Sequence, residues 1–157
     1  MSTRVTGSFR DPSGYVFDHG GRIFRAIDPL CDSVLRDPAT AGLLEKFTRD
    51  RQIVGTHFVE DATLLAGFRE THPGFTSFLE HERLEHITFP YEWTVSMLAD
   101  AALLTLDLQI VLAGQGFALK DATAYNIQFR DGRPIFIDLS SIERPKRLDV
   151  WFALGQF

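Results

Sequence analysis

Residues 117–143 read FALKDATAYNIQFRDGRPIFIDLSSIE, and this stretch decides the fold. Ile127 to Phe129 has the composition of a strand, Asp131-Gly132 forms a tight Asp-Gly turn, and Pro134 to Leu139 is the returning strand. A two-residue turn folds the second strand back beside the first. Asn126 at the entry and Asp138 at the exit are therefore expected close together, with Asp121, one short loop upstream, facing the same pocket.

Composition bounds the rest. The chain has 157 residues, of which 45% are hydrophobic and 24% charged, the balance of a globular domain rather than a disordered or fibrous chain. About 70% of the surface exposed by an unfolded chain of this size can be buried, so a core needs no covalent staples. The net charge of -5 argues against nucleic acid as the main partner. Arg144, Lys146 and Arg147 form a local basic cluster, read as a solvated helix start. With Cys31 as the only cysteine, no internal disulfide can form, and a reducing, cytoplasmic location is expected. The N-terminal sequence MSTRVTGSFRDPSG lacks a signal-peptide apolar core, and no window is expected to reach the eighteen apolar residues of a membrane span, so no membrane partner is expected.

Residues 7 to 27 predict a small antiparallel sheet: Gly7–Arg10 as a first strand, Asp11–Gly14 as a turn, Tyr15–Phe17 as a second strand, Asp18–Gly21 as a hairpin turn and Arg22–Ile27 as a third strand. The glycines either simply permit the turns or form a flap whose amides approach phosphate. Helical spacing runs from Thr40, a fair N-cap, to Arg51, with Leu43, Leu44 and Phe47 apolar. Ile53 to Val59 reads as a strand, Asp61 to Phe68 as a short helix or loop, and His86 to Pro90 as a short strand, with Phe75 to Leu84 ambiguous. His81 and His86 are five apart, about 140° round a helix, so a zinc helix is rejected in favour of a surface stretch of mixed charge.

The strongest element is a helix from Thr94 to Leu112, ended by Gly114 and Gly116 and apolar on most of its circumference. Val95, Leu98, Ala102, Leu106, Gln109, Ile110 and Ala113 are expected on its buried side, and Asp100 and Asp107 on the wetter one. The apolar end, from Leu148 to Phe157, is expected either to dock onto this helix or to mark a piece of a longer protein.

An acidic residue, an asparagine five later and a second acidic residue after the following hairpin suit magnesium held beside nucleotide phosphates. That ion takes hard oxygen ligands, commonly one or two protein carboxylates, with phosphate and water completing the set. Asn126 and Asp138 would supply oxygens, and Asp121 would orient or deprotonate an acceptor hydroxyl. Lys120-Asp121-Ala-Thr-Ala-Tyr-Asn126 followed by Phe136-Ile-Asp138-Leu resembles the catalytic loop and metal-binding segment of the protein kinase-like superfamily, especially the aminoglycoside phosphotransferase type.

The resemblance implies an α+β, protein kinase-like fold. Residues 1–90 would form an N-lobe-like antiparallel sheet with a helix, and residues 91–157 a truncated helical C-lobe with the catalytic-loop hairpin. It carries ATP and Mg²⁺ as cofactors, with Arg25, Glu45 and Lys120 as nucleotide-contacting positions. GSFRDPSGYVF, PYEW, LKDATAYN and IDLSSIE also resemble the N-terminal region of a bacterial family of class I S-adenosylmethionine-dependent methyltransferases, over nearly the whole chain. That resemblance implies a methyltransferase domain, in cis or in trans, as partner. The methyl donor itself is not expected to bind here, because no glycine-rich strand-turn-helix is present.

The third strand has Arg25 where the kinase-like pattern has lysine, and Ser140 replaces a glycine or acidic residue. Three readings follow from the sequence: a nucleotide- and magnesium-binding module without turnover, attached to a methyltransferase; an active phosphotransferase moving the ATP γ-phosphate to a small-molecule hydroxyl; or a structural interaction domain.

Overall fold

A computed structural model of the chain describes residues 2–4 and 14–157. The expected strand Gly7–Arg10, and with it most of the glycine-containing hairpin, lies outside the described residues. Two compact units are present, Met1–Ser33 with Gly55–Arg83 and Val34–Val54 with Leu84–Phe157. The units do not follow a division near residue 90, because the segment after the second helix bonds to the hairpin: Val54 N–H donates to Phe136 O at 2.9 Å and Phe136 N–H to Gln52 O at 2.9 Å.

The first unit is an antiparallel sheet ordered β1-β2-β3-β5-β4, with β1 at Ser2–Arg4, β2 at Gly14–His19, β3 at Arg22–Ile27, β4 at Thr56–Phe58 and β5 at Ser77–His81. Gly20 and Gly21, at φ 64° and 82°, make the β2–β3 turn, and Asp18 Oδ1 accepts the Gly21 N–H at 2.9 Å. Gly14 is needed for a different reason: a Cβ there would meet Ala26 O at 1.9 Å.

Helix α1 (Pro29–Leu35) begins beside Asp28, whose carboxylate accepts the Cys31 N–H. A later helix, Ala62–Thr71, starts at Asp61, whose carboxylate accepts the N–H groups of Thr63 and Leu64, and it presses Phe68 onto one face of the sheet. There Phe17, Phe24, Ala26, Phe68 and Phe78 form the core, and Phe17 meets Phe68 edge-to-face at 5.1 Å. The ambiguous stretch after Phe75 contains β5, which pairs with β3 and β4 and puts Phe78 into this core.

His81 is buried rather than on a charged surface. Its Nδ1 lies 2.8 Å from Thr56 Oγ1. Burial, then the charges of Arg25 and His57, push its pKa down to about 3.

In the second unit, α2 spans Pro38–Arg49. Its N-cap is Asp37, not Thr40, because Pro38 suits the first helical position and the Asp37 carboxylate accepts the Ala39 N–H at 3.0 Å. That bond, followed by the Arg144 guanidinium at 2.6 Å, holds the Asp37 carboxyl below its ordinary pKa. The residues around Arg144 form a loop rather than a helix start; Arg144 caps the Phe117 ring at 4.5 Å, and Arg147 pairs with Asp149.

Calling the Ala62–Thr71 helix α3, α4 spans Val95–Ala113, capped by Thr94 and ended at Gly114. Its buried face is Ala101, Leu104, Thr105, Leu108, Gln109 and Leu112. Much of the side expected inside is outside, with Val95 85% and Ile110 61% exposed. A helix apolar nearly all round gives periodicity nothing to choose by. Gln109 belongs to the buried face, where its Oε1 accepts the Leu119 N–H at 2.8 Å. By length and composition α4 is also apolar enough to cross a membrane, which corrects the expectation that no window approaches a span.

His86–Phe89 is not a strand. The side-chain amide of Gln128 accepts the Thr88 N–H at 2.8 Å and donates to Thr88 O at 3.0 Å, doing locally what a neighbouring strand would do. At the chain's apolar end, Trp151 Nε1–H donates to Leu119 O and Gln156 Oε1 accepts the Ala122 N–H.

The His81 site gives a test with a definite sign. Native His81 takes its proton near pH 3 and an unfolded histidine near 6.5, so its contribution is complete above about 6.5 and is lost as pH falls through that window. Between pH 7 and pH 5 the urea-derived stability should drop by about 2 kcal/mol from this residue. His81→Gln should flatten the slope, and an unchanged slope in that variant would assign the effect elsewhere.

Candidate functional site

The hairpin is formed by β7 (Ile127–Arg130) and β8 (Arg133–Phe136), after the short β6 (Ala118–Leu119) has paired with β9 (Ile142–Glu143). Asp131 at φ 52° and Gly132 at 74° make the turn, and the register sets Ile127 opposite Phe136. The ladder extends one step further, since Ile137 N–H donates to Asn126 O at 2.9 Å. The backbone of Asn126 is thereby fixed against the residue that precedes Asp138. The returning strand stops at Phe136 instead of reaching Leu139, because the chain turns into a 3₁₀ segment at Leu139–Ser141.

Asp121 is tied to the same place. Its backbone carbonyl accepts the Asn126 Nδ2–H at 3.3 Å, while its Oδ1 accepts the Thr123 N–H at 3.0 Å. The first bond leaves the carbonyl oxygen of the Asn126 side chain available, and the second leaves Asp121 Oδ2. Asp138 is 9% exposed, and its Oδ1 accepts the Ser140 hydroxyl at 2.5 Å. Lys120 is half-buried beside them, its N–H donating to Ser141 O at 2.8 Å. Asn126 is therefore linked on one side to Asp121, through its side-chain amide, and on the other to Ile137, the residue before Asp138, through its backbone carbonyl.

The donors are all hard oxygens, which fits magnesium and not a thiolate- or imidazole-seeking metal. Among the described residues, no three His, Cys, Asp or Glu side chains group to form a metal cage. A cation here would rest on one or two carboxylates, an amide oxygen and ligand oxygens. Such a shared set is the usual way magnesium is held beside phosphates.

The other two expected positions lie apart in the chain's organisation. Arg25, 7% exposed, sits in the first unit on β3, in the cross-strand row Val16, Arg25, Leu79, Phe58. Alternation puts that row on the face opposite the Phe17–Phe68 core. Glu45 is an exposed residue of α2, in the second unit.

Ser140 is the participant that sequence reasoning missed. It stands out in the sequence only as a departure from the kinase-like pattern. The signal was its place two residues after an aspartate, a spacing from which a hydroxyl reaches back to a carboxylate. Ser140→Ala should cost about 1.5–3 kcal/mol, the range for hydrogen bonds to charged groups, as a lowered urea midpoint with unchanged slope. A loss below about 0.5 kcal/mol would show that this hydroxyl does not hold Asp138.

No family model matches the sequence. Over 162 aligned residues, covering 98% of this chain, the sequence is 40% identical to the Nodulation protein NoeA of Rhizobium meliloti (strain 1021). The chain spans 31% of that relative's length.

Proposed function

We propose that the chain is a kinase-like nucleotide- and magnesium-binding module, an accessory or regulatory part of a methyltransferase-type protein. The observation that carries this reading is the bond from Ile137 N–H to Asn126 O, with the Asn126 amide tied in turn to Asp121. These two bonds connect the loop that carries Asp121 and the strand that leads to Asp138 through the one residue Asn126. Bound magnesium would neutralise and bridge phosphate oxygens. Asn126 and Asp138 would hold the ion, and Lys120 would face the phosphates.

Two observations favour binding over turnover. Asp121 already gives one carboxylate oxygen to Thr123 and Asp138 one to Ser140. The third strand of the sheet also carries arginine, whose planar fork replaces the point charge of lysine. The methyltransferase association rests on the resemblance of the GSFRDPSGYVF, PYEW and LKDATAYN strings. The greater length of the NoeA relative is compatible with a module of a longer protein.

Melting curves with ATP test the reading. At one hundred times its dissociation constant, ATP with magnesium should stabilise the chain by about 2.7 kcal/mol, roughly 2–4 °C for each kcal/mol in a protein of this size or slightly larger. Omitting magnesium or introducing Asp138→Ala should remove the shift, with no ATP consumed. Magnesium-dependent ATP consumption abolished by Asp121→Ala would instead identify a phosphotransferase. No shift and no consumption would leave the structural interaction domain.

A further inference from the structure

The segment Trp151–Gln156 reaches the loop that carries Asp121 from both sides. Trp151 Nε1–H donates to Leu119 O at 2.8 Å, and Gln156 Oε1 accepts the Ala122 N–H at 2.7 Å. Leu119 and Ala122 bracket Lys120 and Asp121. Two side chains, 32 and 34 residues downstream, thus fix the backbone immediately before and after that pair, and the nucleotide reading gives neither of them a role.

The place of the second bond matters most. Leu119 and Ala122 are each 1% exposed, and a buried amide left without a partner loses its hydration with nothing in return. Thr123 N–H donates to the Asp121 carboxylate, so that bond orients Asp121 only while the backbone from 121 to 123 keeps its turn. The amide in the middle of the turn is the one that Gln156 takes.

The segment itself is shallowly seated. It is a 3₁₀ turn, Phe152–Gln156, with Leu154 N–H donating to Trp151 O at 3.3 Å. Ala153 is buried and Trp151 half-buried, whereas Phe152 is 85% exposed, Leu154 68%, and Gln156 is exposed as well. Short 3₁₀ pieces that bury little apolar surface open at low free-energy cost. A removable segment therefore grips a buried loop.

We propose that Trp151–Gln156 is a strap that orders the Lys120–Asp121 loop, with Trp151 and Gln156 as positioning residues, so that nucleotide affinity follows the docking of the strap. The inference rests on the nucleotide reading for its ligand, but the hold of the strap on the loop is measurable without one. A docked strap presents the loop already ordered. A released strap leaves the ligand to order it, and apparent affinity falls with the fraction of chains docked.

The test sets amide hydrogen exchange of the ligand-free chain beside calorimetric titration of ATP with magnesium. Gln156→Ala should speed exchange about tenfold at Lys120 and Thr123, amides bonded to Ser141 and Asp121 rather than to Gln156. The Phe136 amide, bonded to Gln52, should exchange as in the parent. Gln156→Glu places a carboxylate oxygen where the amide oxygen accepted, so it should restore slow exchange. Trp151→Phe keeps a ring without a donor and should loosen the loop as Gln156→Ala does. ATP affinity should fall about five- to tenfold in both loosened variants. Exchange at Lys120 and Thr123 equal to the parent's in both variants overturns the strap, whatever ATP does. A loosened loop with parental ATP affinity also overturns it, as does Gln156→Glu exchanging like Gln156→Ala. A parent chain that binds no ATP overturns the nucleotide reading, and with it the dependence of affinity on the strap, while the exchange data still decide whether the strap orders the loop.

Discussion

The arrangement of the second unit depends on one backbone contact, the extension of the β7–β8 ladder from Ile127–Phe136 to the bond between Ile137 N–H and Asn126 O. A strand register is discrete, and a slip by one residue reverses every side chain. The Asp131-Gly132 turn sets that register, so it also sets which oxygen atoms approach Asp138. Phe136 anchors the other side of the same strand. It is buried, and both its N–H and its carbonyl bond to the segment leaving α2. The residues near Asp138 and the Asp131-Gly132 turn are therefore two ends of one hydrogen-bonded ribbon.

Much of this was legible because the sequence used local chemistry that has one solution. Asp-Gly between two short apolar runs specifies a two-residue hairpin, and β3 at Arg22–Ile27 follows directly from the Gly20-Gly21 turn before it. The start and end of α4 were written in Thr94 and Gly114. The approach of Asn126 and Asp138 follows from strand lengths alone, before any side chain is placed.

What was illegible turned on side chains acting at a distance. Gln128 satisfies the backbone of Thr88 from forty residues away, so His86–Phe89 looked like a strand that it does not form. The almost wholly apolar α4 offers no periodicity from which to read its buried face, on which Gln109 bonds to the Leu119 N–H. The start of α2 is a different case, because Asp37 followed by Pro38 is a local signal, and the helix begins there rather than at Thr40. Ser140 was a departure from a pattern and became, in three dimensions, the group that holds the buried carboxylate.

The most direct measurement is paramagnetic mapping of the cation. Mn²⁺ replaces Mg²⁺ in the presence of ATP, and the amide signals of the chain are followed as the ion is added below stoichiometry. If the register of the hairpin builds the cation site, the signals of Asn126 and Asp138 broaden first, Asp121 next, and the Arg130–Arg133 tip last, with the effect absent in Asp138→Ala. Broadening confined to exposed acidic residues such as Asp100 and Asp107, with Asn126 and Asp138 unchanged, would contradict the account.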